Sequence, residues 1–107
     1  MTTTTPTFED LQKFSKEQLE AYTAALREEI ETSVRVEPGV LAIYATAETH
    51  NPTRFRFFEM YADADAYEAH IASAHFRKYV AATKSMITFK RLIETTPVQL
   101  SAKARGA

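Results

Sequence analysis

The sequence predicts a single α+β domain whose strands and helices follow the order β-α-β-β-α-β. A long segment with helical spacing of apolar residues precedes two apolar segments that are typical of strands. Two capping signals then open further helices, and a last apolar segment closes the order. This is the ferredoxin-like pattern, a four-stranded antiparallel sheet with its helices on one face. At 107 residues, the chain has room for one such domain.

The two ends of the chain are predicted to be flexible, because residues 1–6 and 101–107 are small or polar and lack a periodic apolar pattern. The folded domain is therefore predicted to span residues 7–100. Its first element is a short strand over residues 8–14, although Phe8 and Leu11 do not alternate cleanly.

The first helix has the strongest signals in the chain. Ser15 and Gln18 form a capping box, in which each side chain satisfies the backbone amide of the other residue. Phe14 before the cap and Leu19 one turn later are spaced as a hydrophobic staple. The Pro-Gly pair at 38–39 ends the helix. Between these signals, apolar residues recur at helical spacing: Leu19, Tyr22, Leu26, Ile30 and Val34.

Two strands joined by a hairpin follow this helix. Residues 40–47 form a nearly unbroken apolar run with β-branched and aromatic members, and residues 54–61 form a second run. The Glu-Thr-His-Asn-Pro segment at 48–52 is typical of a hairpin connection, in which His50 is a solvated turn residue.

Two short helices and a final strand complete the order. Asp63 is positioned to cap a helix through residue 71, and Ser73 to cap another through residue 87. Residues 89–100 supply the last strand, in which Pro97 indicates an edge or a bend.

Both faces of the predicted sheet are apolar, whereas the helices cover only one of them. Residues 40–44 do not alternate between apolar and polar, as a sheet with one face in water requires. Sheet-to-sheet packing of two identical subunits is the simplest cover for the second face, so we predict a homodimer. The strand at 54–61 has Phe55, Phe57 and Tyr61 on one face and Phe58 and Met60 on the other.

The composition excludes several classes of function. The chain has no Cys, which excludes thiol nucleophiles and thiolate metal sites, and its two Gly lie too far apart for a phosphate-binding loop. A formal net charge of -1 argues against binding of nucleic acid. No apolar run reaches the about 20 residues that span a membrane, so we expect a cytoplasmic protein.

His70 and His75 bracket the break between the two short helices and are the main candidates for chemistry. Their spacing does not match the i, i+4 pair of a helical zinc site, so we expect no metal. The dipole at a helix start favours a neutral imidazole at His75, which can act as a base. Each histidine could equally have a structural role, donating to a backbone carbonyl at a helix end.

Glu59 places a carboxylate between Phe57 and Tyr61 on one face of a strand, where burial would raise its pKa. It could pair with a histidine, with an arginine across the sheet, or with solvent at the rim; we favour the histidine, whose ring it would orient. Nearby aromatic residues form either a plain core or a pocket for a planar ligand. They are Tyr44, Phe57, Tyr61, Tyr67, Phe76 and Tyr79.

Four segments of the chain carry a resemblance to a known family. They are Glu-Pro-Gly-Val-Leu at 37–41, Asn-Pro-Thr-Arg-Phe at 51–55, Glu-Met-Tyr-Ala-Asp at 59–63 and His-Ile-Ala-Ser-Ala-His-Phe at 70–76. In order and spacing over residues 15–100, the chain closely resembles the antibiotic biosynthesis monooxygenase family, and within it the quinol monooxygenases most strongly. The resemblance implies a dimeric α+β barrel that oxidises quinols or polyphenols with O2 and without metal, flavin or haem.

For the reaction that the resemblance implies, we assign roles to the candidate residues. His75 or His70 would be the catalytic base and Glu59 its orienter, with no bound cofactor and with O2 as co-substrate. The family's haem-degrading branch carries a tryptophan and a haem-ligating histidine where this chain has His70 and Val80, so the resemblance does not extend to haem degradation. The substrate slot would be formed by Phe57, Tyr61, Tyr67, Phe76 and Tyr79.

Two other functions stay open at this point. Relatives that process autoinducers would use the same base on a small phosphorylated sugar, which needs basic groups at the pocket. The second is a dimer that binds an aromatic ligand without turnover. The basic groups near enough to favour the autoinducer-processing enzyme are Arg54, Arg56, Arg77 and Lys78.

Overall fold

The computed structural model describes residues 2–11 and 15–103, and it confirms the ferredoxin-like α+β fold. The elements are β1 (Thr3–Leu11), α1 (Lys16–Val36), β2 (Val40–Glu48), β3 (Asn51–Tyr61), α2 (Ala64–Ala72), α3 (Ala74–Thr83), a 3₁₀ turn (Lys84–Met86) and β4 (Ile87–Leu92). The four strands are antiparallel and lie in the order β2-β3-β1-β4, with the helices on one face.

Strand β1 begins earlier than predicted. It starts at Thr3, so the prediction of a flexible segment over residues 1–6 is wrong from Thr3 onward. The strand lies between β3 and β4, which buries Thr4, Thr5 and Thr7 to 4% exposure or less. Threonine is β-branched and suits a strand, although it adds no apolar pattern for sequence analysis to detect. The end of the predicted strand at residues 12–14, including the staple residue Phe14, lies outside the described residues.

Helix α1 begins as predicted. The Ser15 side chain accepts from the backbone amide of Gln18, and the Gln18 side chain accepts from the backbone amide of Ser15 at 3.1 Å. Tyr22 and Leu26 pack into the core, but Val34 is 48% exposed and Ser33 is buried in its place. The predicted apolar stripe is therefore wrong in the last turns of the helix.

The helix-to-strand boundaries at the carboxyl end also differ from the prediction. Asp63 caps α2, since its side chain accepts a hydrogen bond from the backbone amide of Ala66 at 2.8 Å. Ser73 caps α3 in the same way, accepting from the amide of Phe76 at 3.3 Å. Helix α3 ends at Thr83, not at residue 87, and β4 ends at Leu92. Beyond β4, Ile93 still donates a backbone hydrogen bond to Pro6, and Thr95 forms an isolated bridge to Thr4 of β1. No strand continues through the described residues 93–103, so most of the strand predicted over residues 89–100 is wrong.

The core lies between the sheet and the helices. Its buried residues are Leu11, Tyr22, Leu26, Phe55 and Tyr79. Phe58 pairs with both Tyr44 and Pro6 and therefore lies on the opposite face, which no helix of the described chain covers. Among the described residues, no helix is long and apolar enough to cross a membrane.

Gly39 brings the start of β2 against α2, which leads to a stability prediction. A Cβ at this position would lie 2.5 Å from the Cβ of Ala66 and 3.4 Å from its Cα. Gly39→Ala should therefore lower the free energy of unfolding by about 2 kcal/mol, because α2 must shift away from β2. Urea unfolding measures this change, and a stability equal to that of the wild type would contradict the close approach.

Candidate functional site

A cavity of about 60 Å³ lies between the sheet and the helices, in the region where the sequence predicted a slot. Carboxylates from three elements reach it: Glu9 from β1, Glu29 from α1 and Glu59 from β3. His70 of α2 and Lys90 of β4 also line it. All five residues of the predicted slot are in its wall: Phe57, Tyr61, Tyr67, Phe76 and Tyr79.

Glu59 lines the cavity but does not pair with a histidine. It accepts a hydrogen bond from the Tyr61 hydroxyl at 2.5 Å and one from Thr7 Oγ1 at 3.5 Å. The prediction that Glu59 orients a histidine is wrong, because carboxylates from α1 and its carboxyl end already occupy the nitrogens of His70. Burial and the neighbouring Glu59 carboxylate raise the pKa of the Tyr61 phenol, so Tyr61 stays a hydrogen-bond donor.

His70 is the histidine at the cavity, and two carboxylates hold its ring. Its Nε2 lies 3.3 Å from Glu29 Oε1, and its Nδ1 lies 2.9 Å from Glu37 Oε2. The side chain is only 2% exposed. The rings of Tyr61 and Phe76 lie 5.5 Å and 5.0 Å from the imidazole, centroid to centroid. These contacts fix the ring at the boundary between the aromatic wall and the carboxylates.

His75 lies outside the wall of this cavity. Its Nε2 is 2.6 Å from Glu37 Oε2 and 3.1 Å from Ser73 Oγ, and its side chain is 17% exposed. Glu37 Oε2 thus joins the two histidines. The structure places Glu29, His70, Glu37 and His75 in one connected network that runs from the cavity to a partly exposed imidazole.

The two carboxylates of the network have opposite pKa shifts. For Glu37, burial raises the pKa, but the hydrogen bonds from His70 and His75 outweigh it and hold the pKa below the usual range. For Glu29, burial dominates over the hydrogen bond from Ser33 and raises the pKa. Glu29 is therefore the carboxylate of this network that holds a proton more readily, and it is the one at the cavity.

The network leads to a prediction on pH and stability. Because the pKa of Glu37 is lowered by folding, its carboxylate stabilises the fold above its unfolded pKa, and this contribution is lost as pH falls through the folded pKa. Glu37→Gln should cost about 1.5 kcal/mol at pH 7, as hydrogen bonds to a charged group do. The difference from wild type should shrink as pH is lowered towards 3 in urea unfolding. A difference that grows on acidification would contradict the assignment.

The network atoms are also the ones that could hold a metal ion. One donor atom each from Glu37, His70 and His75 lies within 4.8 Å of the others. The carboxylate oxygen is within hydrogen-bond distance of both rings, at 2.6 Å and 2.9 Å. Protons on the imidazole nitrogens account for these contacts, so we interpret the cluster as a hydrogen-bond network.

A second buried polar group lies at the other side of the cavity and was missed by sequence analysis. The Tyr22 hydroxyl donates to Glu9 Oε2, and the Tyr79 hydroxyl lies 3.2 Å from the same oxygen. Glu9 and Tyr22 are 1% and 0% exposed. Burial and the nearby Tyr79 and Glu9 side chains raise the pKa of Tyr22, so it remains protonated and satisfies the carboxylate.

The comparisons with known proteins agree with this fold. The sequence profile of the family described as antibiotic biosynthesis monooxygenase matches residues 11–82. A crystal structure from Bacteroides thetaiotaomicron VPI-5482, provisionally named an antibiotic biosynthesis monooxygenase, is 40% identical. That match covers 97% of this chain and 96% of the other, with a TM-score of 0.86.

More distant relatives share the fold alone. A protein from Nitrosomonas europaea with the same provisional name is 21% identical over 91% of this chain and 99% of its own, with a TM-score of 0.80. A search of curated proteins finds no match. The profile match spans more than half of this chain, and the Bacteroides protein is similar along nearly its whole length. The chain therefore belongs to the antibiotic biosynthesis monooxygenase family.

Proposed function

We propose that the protein is a cofactor-independent monooxygenase that oxidises a small quinol-type aromatic with O2 in the cytoplasm. Membership of a monooxygenase family supports the class of reaction. The observation that carries the proposal is the cavity where His70 and its carboxylates meet five aromatic side chains. Such chemistry requires a group that accepts a proton and a water-poor site that holds a planar ring in one orientation.

The proposed reaction balances without a further reductant. Loss of a phenolic proton gives an electron-rich anion that passes an electron to O2, and the two radicals combine at a ring carbon. Loss of water from the resulting hydroperoxide leaves one oxygen atom on the ring. A hydroquinone and O2 thus give a hydroxyquinone and water, and the four electrons that O2 takes up all come from the substrate.

We assign the proton-accepting role to the His70 and Glu29 pair. Both side chains line the cavity, and they lie 3.3 Å apart. The proton would then pass through Glu37 to His75 in the tautomer that leaves its Nε2 unprotonated, since this nitrogen is 2.6 Å from Glu37 and the imidazole is partly exposed. In this assignment Glu59 positions Tyr61, whose hydroxyl can donate to a substrate oxygen after a small rotation, and His75 returns the proton to solvent.

The small volume of the cavity defines what substrate binding must change. About 60 Å³ is less than the about 150 Å³ of a cavity that binds benzene. We therefore expect binding of a ring to displace wall residues that are only half-buried, such as Tyr67 and Phe76.

Oxygen uptake tests the proposal. Purified protein with a reduced benzoquinone or naphthoquinone should consume O2 faster than buffer, and dialysis against EDTA should leave the rate unchanged. Activity on a phosphorylated sugar under anaerobic conditions would instead support an isomerase. Rates equal to those of buffer across a panel of quinols would contradict the proposed function.

We also propose that the protein is a homodimer through the sheet face that the helices leave open. Tyr44 and Phe89 are 62% and 50% exposed, and the register of the strands places both on the face that carries Phe58 and Met60. Exposed apolar patches of this kind mark interfaces. Arg56 is ion-paired with Glu48 and Asp10 on the same sheet, so its charge is offset.

Sedimentation equilibrium tests the dimer. The wild type should have twice the 12.1 kDa mass of the chain, and Phe58→Glu should have the mass of one chain, because it places a charge in the interface. Val80→Glu, on the exposed side of α3, is the matched control and should stay dimeric. A wild-type protein of 12.1 kDa would contradict the interface.

A further inference from the structure

A second cavity of about 110 Å³ adjoins the aromatic cavity. The two share Tyr67 and Leu92 as lining residues, so the Tyr67 side chain separates them. Glu68 and Glu94 line the second cavity, together with Thr5 from the centre of the sheet. The proposed function uses none of these three side chains.

The Thr5 hydroxyl is a buried polar group that has no partner among the described residues. Thr5 is 2% exposed, and its Oγ1 makes no hydrogen bond there. Its cross-strand neighbour is Glu59, so the hydroxyl lies beside the carboxylate that lines the aromatic cavity. Leaving such a group unsatisfied costs about 1–3 kcal/mol. A hydroxyl in this position therefore points to a ligand group that hydrogen-bonds to it.

The walls of the two cavities carry an excess of negative charge. Glu9, Glu29 and Glu59 line the first cavity, and its only basic side chains among the described residues are His70 and Lys90. The second cavity adds two carboxylates and no basic side chain from the described part of the chain. Burial raises the pKa of the Tyr67 phenol, and the carboxylates of Glu59, Glu68 and Glu94 raise it further, which places the Tyr67 hydroxyl in a negative potential.

We propose that the substrate is a phenol or quinol that carries a protonated amine, with its ring in the aromatic cavity and its ammonium group beside Thr5 in the second cavity. The ammonium donates to Thr5 Oγ1, and the surrounding carboxylates offset its charge. The Tyr67 ring adds attraction between a cation and an aromatic face. This inference rests on the proposed function, since it names the substrate class of the same site.

The positive charge also serves the proposed chemistry. Removal of a phenolic proton leaves an anion, which three nearby carboxylates would repel. An ammonium group on the same substrate offsets that repulsion. An anionic substrate, such as a phosphorylated sugar, would meet the same carboxylates with no arginine in either wall of the described chain.

Binding of three matched catechols without O2 tests the inference. Dopamine, 4-methylcatechol and 3,4-dihydroxyphenylacetate carry a positive, a zero and a negative charge on similar rings. Isothermal titration calorimetry under anaerobic conditions should give a dissociation constant for dopamine at least about tenfold lower than for 4-methylcatechol, which equals about 1.4 kcal/mol. The dihydroxyphenylacetate should bind most weakly.

Two variants test the second cavity itself. Thr5→Val keeps the shape of the side chain and loses no hydrogen bond of the described protein, so it should fold with equal or higher stability. It should weaken the binding of dopamine about tenfold and leave the affinity for 4-methylcatechol unchanged. Glu94→Gln should weaken dopamine less, because Glu94 is exposed. Glu20→Gln, which removes the same charge from the solvent side of α1, is the control and should change neither affinity.

The outcomes separate this inference from the proposed function. Equal or tighter binding of the neutral or anionic catechol, or no binding of any of the three, would overturn the inference. A dopamine preference lost in Thr5→Val supports it even if no O2 is consumed, and in that case the proposed oxidation alone fails. Oxidation of neutral quinols without any preference for binding dopamine would support the proposed function. It would refute the inference that the substrate carries an amine.

Discussion

His70→Ala should lower quinol-dependent O2 uptake by at least about 100-fold, because it removes one member of the His70 and Glu29 pair that accepts the substrate proton at the cavity. The imidazole is held at both nitrogens by Glu29 and Glu37, so a water molecule in its place would not reproduce both contacts. The measurement is the initial rate in an oxygen electrode at saturating quinol. Circular dichroism at the assay temperature shows whether the variant is folded.

His75→Ala is the matched comparison for this prediction. His75 is joined to Glu37 but does not line the cavity, so its loss should slow proton release and reduce the rate by about tenfold or less. The loss should be smaller in buffers that supply small proton carriers such as imidazole. A larger loss for His75→Ala than for His70→Ala, in folded proteins, would contradict the assignment of His70 as the base.

Tyr22→Phe should lower the free energy of unfolding by about 3 kcal/mol. The Tyr22 hydroxyl donates to Glu9 and lies 2.8 Å from the Tyr79 hydroxyl, and all three groups are buried. Removing the donor leaves the buried carboxylate of Glu9 with one hydrogen bond fewer, which costs more than the loss of a neutral pair. Urea unfolding at pH 7 measures the change.

Tyr44→Phe provides the control for the same chemical change. Tyr44 is 62% exposed in the single chain, and its hydroxyl makes no hydrogen bond to the described residues. Tyr44→Phe keeps the apolar ring that lies on the face of the proposed dimer. Its stability change should stay within about 0.5 kcal/mol. If Tyr22→Phe were as mild as Tyr44→Phe, the hydrogen bond from Tyr22 to Glu9 would contribute little to stability, and the interpretation of this buried polar group would be wrong.

Local signals predicted the helix starts and the hairpin of β2 and β3. Ser15, Asp63 and Ser73 all cap helices, because a side chain that satisfies free amides is recognisable from sequence and depends little on tertiary context. The hairpin turn at Thr49 and His50 is likewise local. The order of elements followed from these signals, and so did the fold class.

Strand β1 and the carboxyl end could not be predicted in the same way. Thr4, Thr5 and Thr7 are polar by composition and become buried only because β1 is an inner strand of the sheet. The end of β4 at Leu92 is equally a matter of tertiary pairing, since apolar residues continue beyond it to Leu100.

The site was predictable in its aromatic wall but not in its carboxylates. Residues such as Phe57 and Tyr61 face the helices by strand alternation, which sequence analysis can apply. The pairing of His70 with Glu29 and Glu37 depends on how α2 packs against the end of α1, which no local pattern encodes. The alternation of Thr5, Thr7 and Glu9 would have placed Glu9 at the cavity, had β1 been extended to Thr3.

The most direct test of the proposed reaction is the fate of oxygen from ¹⁸O2 in a single assay. EDTA-dialysed protein and a quinol under ¹⁸O2 should form a hydroxyquinone that carries one ¹⁸O atom, with the other recovered as labelled water. Mass spectrometry of the product and of the water measures both. A product without ¹⁸O, or labelled product that disappears after EDTA dialysis, would contradict cofactor-independent monooxygenation at the His70 cavity.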